Sequence, residues 1–231
     1  GSDLSGTGVG LTFDFIIIHE TGHEWFGNSI TSKDIADMWI HEGFTQYAEI
    51  VYVECQQGYE KAMTYAKGLQ KNVKNDRPII GNYSVNSEGS GDMYPKGALL
   101  LNTLRHVIND DAKWWKLLLD YSNTFKHQII DTETVIAYFN KESGMNLTPI
   151  FNHYLQKTTI PRLELKTVKG KLAARWTNVD DDFNMAVDLT YQNKTFRIQP
   201  NSTWTTTKVK VKNIIEVAPK LHQFFIEYKL L

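Results

Sequence analysis

The sequence predicts an α+β chain, helical over residues 1–160 and stranded over 161–231. Two observations carry this. Up to Gln156, apolar residues recur at helical spacing between N-cap and C-cap signals. After Pro161, short alternating or β-branched runs are separated by turn residues.

The first helix is expected from Phe13 to Phe26, closed by Gly27-Asn28. Its Ile16-Ile17-Ile18 run is a poor helix former that needs burial, and Gly22 within it suits close approach by a neighbour. A polar turn over 28–37 leads to a second helix from Met38 to Gln57, ended by Gly58. A third spans Tyr59 to Val73 on the apolar positions Tyr59, Ala62, Met63, Ala66, Leu69 and Val73. Residues 76–93 form a breaker-rich loop, long enough to suggest function, in which Glu88 to Gly91 offers freedom to close over a ligand.

Pro95 opens the next helix, which runs to Ile108. Asp110 or Asp111 caps another through Tyr121, Thr132 to Glu142 ends at Gly144, and Thr148 caps the last, Pro149 to Gln156. Strands are expected over 162–168, 171–177, 185–191, 195–199, 203–211 and 224–230, spaced as in a small β-sandwich.

Composition narrows the function classes. The chain has 231 residues, 42% hydrophobic and 22% charged, with a formal net charge of −1. That balance points to no nucleic-acid or acidic-membrane partner. The longest strongly apolar stretch, Phe13 to Ile18, is too short to span a bilayer. The single cysteine, Cys55, excludes an internal disulfide and leaves the compartment open. It continues the row Ile40, Phe44, Tyr47, Val51, which predicts a buried, inert thiol. Gly1-Ser2 has the look of a cloning remnant.

The chemistry lies in His19-Glu20-Thr21-Gly22-His23, an H-E-x-x-H motif within a predicted helix. Positions 19 and 23 fall about 40° apart and about 6 Å along the axis, so both imidazoles can grip one ion. Glu20 lies about 100° round, flanking the site as a base for water. A catalytic zinc needs a third protein ligand and an open fourth position. Glu42, nineteen residues after His23, returns over the histidine pair if the two helices run antiparallel. The expected metal ligands are therefore His19, His23 and Glu42, with one Zn²⁺ per chain and Glu20 as general base. Glu24 is expected to be solvated, and His41, beside a ligand, diverges from it. His106, His127, His153 and His222 have no partners in the sequence pattern and are expected to be structural or superficial, while Trp114-Trp115 reads as core or contact surface.

The pattern His19-Glu20-x-x-His23, eighteen residues, Glu42 resembles the aminopeptidase N family of gluzincins, which includes leukotriene A hydrolase. Trp25-Phe26-Gly27-Asn28, Thr31, Trp39 and Glu42-Gly43-Phe44 extend the resemblance, and His41 departs from it where asparagine is common. Tyr94-Pro95-Lys96-Gly97-Ala98 is similar to the family's Tyr-x-Lys-Gly segment, which implies that Tyr94 steadies the transition state. Pro95 should hold Tyr94 in an extended conformation.

The resemblance covers the helical region to about Leu163 and looks closest to bacterial members. It implies a thermolysin-like helical peptidase domain over 1–160, a small β-sandwich over 161–231, and peptide substrates cut at the N-terminus. It also implies an N-terminal β-domain and an amine-binding Gly-x-Met-Glu segment, neither found in these residues. A chain without them should hold zinc, hydrolyse aminoacyl amides poorly and expose apolar surface around the first helix. An endopeptidase or other hydrolase on the same scaffold, or a non-catalytic zinc module, are the competing readings. The retained Glu20 argues against the last.

Overall fold

The computed structural model describes residues 3–231, so Gly1-Ser2 lies outside the described residues. The chain divides into two compact units, Gly1–Thr158 and Thr159–Leu231. Among the described residues, no helix is long and apolar enough to cross a membrane.

In the first unit, α1 (Phe15–Gly22) is followed by β1 (Ile30–Ser32), α2 (Trp39–Gln57), α3 (Tyr59–Leu69), α4 (Pro95–Ile108), α5 (Asp111–Thr124), β2 (Gln128–Ile130), α6 (Thr132–Ser143) and α7 (Thr148–Gln156). Capping explains most boundaries. The carboxylates of Asp14, Asp110 and Asp131 accept backbone N–H bonds at the starts of α1, α5 and α6. Gly58 at φ 86° ends α2, and Gly144 at φ 69° ends α6.

Helix α2 is the axis of the unit. Trp39, Ile40, Phe44, Tyr47, Ile50 and Val53 are all buried, and Phe44 stacks on Tyr121 at 5.0 Å. Helices α2 and α4 cross backbone to backbone. A Cβ on Gly43 would lie 3.0 Å from the Gly97 Cα, and one on Gly97 would lie 2.8 Å from the Gly43 Cα.

Several expectations are corrected here. Helix α1 stops at Gly22 rather than Phe26, because the bonds beyond it change span. Trp25 N–H donates to Gly22 O, three residues back, whereas Asn28 N–H donates to His23 O, five back. Regular helix also stops at Leu69, with a 3₁₀ turn over Gln70–Asn72. Leu147, not Thr148, is the cap position of α7, and the Thr148 hydroxyl accepts from Asn140.

The polar turn after α1 contains β1, which pairs in parallel with β2, a contact across about a hundred residues that no local pattern announces. Cys55 is exposed. The buried stripe of α2 continues by steps of three, Tyr47, Ile50 and Val53, not by steps of four through Val51. Cys55 therefore stands about 200° from Val53 around the axis.

Two glycines of the 76–93 loop sit in close contact, while a Cβ on Gly91 would meet nothing within 4 Å. A Cβ on Gly81 would lie 1.9 Å from Ser87 O, and one on Gly89 1.9 Å from Ile79 O.

The second unit holds β3 (Arg162–Val168), β4 (Lys171–Thr177), β5 (Val187–Tyr191), β6 (Lys194–Ile198), β7 (Thr205–Lys210), β8 (Ala218–Pro219) and β9 (Glu227–Leu230). They form a four-stranded sheet of order β7-β4-β3-β9 and a three-stranded sheet of order β6-β5-β8. Lys169-Gly170 and Gln192-Asn193, all at positive φ, close the β3–β4 and β5–β6 hairpins. Buried Leu163, Leu165, Trp176, Phe183, Leu189 and Phe224 make up much of its core. β7 and β9 are shorter than the expected strands over 203–211 and 224–230, and β8 lies between them where no strand was expected.

Candidate metal centre

The Asp14 carboxylate caps α1, accepting from Ile16 N–H at 3.1 Å. That helix carries His19 and Glu20. His23 follows it with helical dihedrals (φ −63°, ψ −17°), so its side chain keeps the helical direction. Gly22 lets α1 approach α2, since a Cβ there would lie 2.9 Å from Thr45 Cγ2. The approach brings Glu42 to the histidines. Its Oε2 lies 3.1 Å from His19 Nε2 and 3.4 Å from His23 Nε2.

Among the described residues, His19, His23 and Glu42 are the one group of His, Cys, Asp or Glu side chains close enough to hold an ion. These residues fit zinc. Donor atoms about 2.0–2.1 Å from a tetrahedral ion stand about 3.3 Å apart, close to the separations seen. Both Nδ1 atoms are engaged elsewhere, His19 with Glu49 Oε1 at 2.7 Å and His23 with Phe26 O at 3.0 Å. Each Nε2 is thus left facing the cluster. The turn built by Trp25-Phe26-Gly27-Asn28 supplies the Phe26 carbonyl that orients His23.

Glu20 is exposed and lines a cleft of about 370 Å³ together with the three clustered side chains, Phe15, Ile16, Gln46 and Tyr94. Tyr94 stacks on the His19 ring at 5.7 Å and lines the cleft beside Glu42. Burial first, then the charge of Glu42, pushes its hydroxyl up to about 12, so it remains a donor at neutral pH. Its backbone corrects the expectation of an extended residue. Tyr94 lies at φ −69°, ψ −78°, between a 3₁₀ turn over Gly91–Met93 and α4. The proline is accommodated by a ψ well beyond that of a regular helix.

His41 turns away from the cluster and accepts from Ser32 N–H at 2.8 Å. Burial lowers its pKa. Glu24 accepts from Asn28 at the surface. Sequence reasoning missed Glu49 and Gln46. The signal for Glu49 was present: it lies seven residues after Glu42, a carboxylate among the apolar positions of α2.

Burial opposes charge on His19, but the hydrogen bonds to Glu42 and Glu49 outweigh it and raise its pKa to about 9. In the metal-free chain this stabilising contribution is complete below about pH 6.5 and is lost as pH rises through 9. If His19 ligates zinc, uptake at pH 7 should release close to one proton from this site. Calorimetry in two buffers of different ionisation enthalpy measures it. Zero release would mean that His19 is already neutral before zinc arrives or stands outside the ligand set.

Residues 11–154 match the Peptidase family M1 domain. The chain belongs to this family, whose solved members include zinc metallopeptidases. Mouse aminopeptidase B is 30% identical over 156 residues, 59% of this chain and 24% of that protein. Human endoplasmic reticulum aminopeptidase 1 is 27% identical over 160 residues, 63% of this chain and 17% of that protein. The chain thus spans a quarter or less of the length of these relatives.

An M1 zinc metallopeptidase from Deinococcus radiodurans, solved as a mutant bound to a Tyr-Ser-Ala substrate, superposes with a TM-score of 0.56. It is 25% identical, over 64% of this chain and 34% of that one. Legionella pneumophila aminopeptidase A in complex with aspartic acid shares the fold at a TM-score of 0.69 and 14% identity, over 99% of this chain and 28% of that one.

Proposed function

We propose that these residues form the catalytic part of a zinc aminopeptidase, which removes N-terminal residues from peptides. The observation that carries this is the cluster of His19, His23 and Glu42 with Glu20 in the same cleft, in a chain of family M1. In this reading the first unit is a thermolysin-like peptidase domain and the second a small β-sandwich. One zinc is held per chain.

When bound, zinc polarises a carbonyl and lowers the pKa of water. The rest belongs to side chains. His19, His23 and Glu42 offer two neutral imidazoles and one carboxylate, leaving one tetrahedral position for a non-protein ligand. The Glu20 carboxylate takes a proton from the attacking water and returns it to the leaving amine. The Tyr94 hydroxyl donates to the oxygen that becomes negative as water adds. Phe15 and Ile16 give the cleft an apolar wall.

The test uses the complete natural polypeptide and a peptide with either a free or an acetylated N-terminus. Cleavage of the free form alone, abolished by a chelator and restored by zinc, is the expected result. Equal cleavage of both forms would make the enzyme an endopeptidase, and zinc binding without any turnover would leave a non-catalytic module.

A further inference from the structure

Glu49 is fully buried on α2, yet neither of its oxygens is idle. Oε1 lies 2.7 Å from His19 Nδ1, and Oε2 accepts from the Tyr65 hydroxyl at 2.5 Å. Tyr65 is itself fully buried on α3. The Phe13 ring lies 5.8 Å from it. A leucine at position 49 would fill the space without the cost of burying a carboxylate.

What Glu49 adds is direction. An imidazole can rotate about its last torsion between broad, nearly equivalent wells. An acceptor at Nδ1 selects one of them, places the proton on Nδ1 and aims the Nε2 lone pair at the cluster. A carboxylate acceptor also raises the donor strength of Nε2. His23 is oriented differently, by the neutral Phe26 carbonyl and the Thr45 hydroxyl. The two histidines are therefore unequal in their support.

We propose that Glu49 and Tyr65 are a positioning pair for His19: Tyr65 fixes the Glu49 carboxylate, Glu49 fixes the imidazole, and together they slow the loss of zinc. This rests on the zinc reading above.

The experiment measures zinc affinity by competition with a chromophoric chelator, the rate of zinc removal by EDTA, and the imidazole Nδ1–H resonance of the zinc-loaded protein. Glu49→Leu should weaken zinc binding by about 10- to 100-fold and lose the downfield Nδ1–H signal. Tyr65→Phe should weaken it less, and Glu49→Gln, which keeps an acceptor, should recover part of the loss. The double variant Glu49→Leu/Tyr65→Phe should be no worse than Glu49→Leu, because Tyr65 acts through Glu49.

Variants that only melt earlier, with wild-type zinc affinity and dissociation rate in the folded protein, would overturn the proposal. Tyr65→Phe removes a single oxygen and keeps the test open if Glu49→Leu does not fold. A wild type that binds no zinc would overturn the zinc reading as well. Normal wild-type binding with unaffected variants would overturn only the positioning pair.

Discussion

Glu20→Gln should bind zinc as the wild type does and lose roughly 10²- to 10⁴-fold in kcat, the span that general acid–base catalysis supplies. The amide matches the carboxylate in shape but cannot take the proton of the attacking water. Because Glu20 is exposed, the substitution should leave stability within about 0.5 kcal/mol. Zinc content, thermal midpoint and kcat measured on one preparation separate the effects. A kcat near wild type would mean that another group carries the proton. Tyr94→Phe is the graded companion: loss of one oxyanion donor costs about 10²- to 10³-fold, in kcat more than in KM.

Removing Glu42 should act on the metal itself. Sharing the free energy of a structural zinc site among four ligands gives about 3 kcal/mol or more for each. Glu42→Ala should therefore bind zinc on the order of 10²- to 10³-fold more weakly. Thermal unfolding reports this without reference to activity. Zinc at a hundred times its dissociation constant stabilises the folded wild type by about 2.7 kcal/mol, and the same concentration should barely move the variant. His23→Ala should behave alike. An undiminished zinc-dependent shift in Glu42→Ala would exclude its carboxylate from the ligand set. A variant that melts early even without zinc would point to a packing role for this nearly buried side chain.

What could be read from the sequence was local. Gly58, Pro95, Asp110 and Gly144 mark helix ends because caps act within a turn of the residue that makes them. The four-residue step from His19 to His23 fixes a shared direction for the same reason. The failures came where distant chain decides. Cys55 continues an apolar row at a spacing of four, but the partners of α2 lie on the side reached by steps of three. The end of α1 depends on the tight return to β1, and β1 depends on β2 about a hundred residues away. Tyr94 obeys its 3₁₀ neighbours before it obeys proline. Glu49 showed in the sequence only as a carboxylate among the apolar positions of α2, and its partner Tyr65, on another helix, could not be read there.

The contact of Gly43 with Gly97 has a consequence for how this site can change. Glu42 precedes one of these glycines and Tyr94 stands three residues before the other. Their separation is therefore set where two backbones touch, with no side chain between them to lengthen or shorten. The cleft wall is different: Phe15, Ile16 and Gln46 line it with side chains that can be exchanged without moving either backbone. The two polar groups keep one spacing, and the shape of the cleft beside them is set separately.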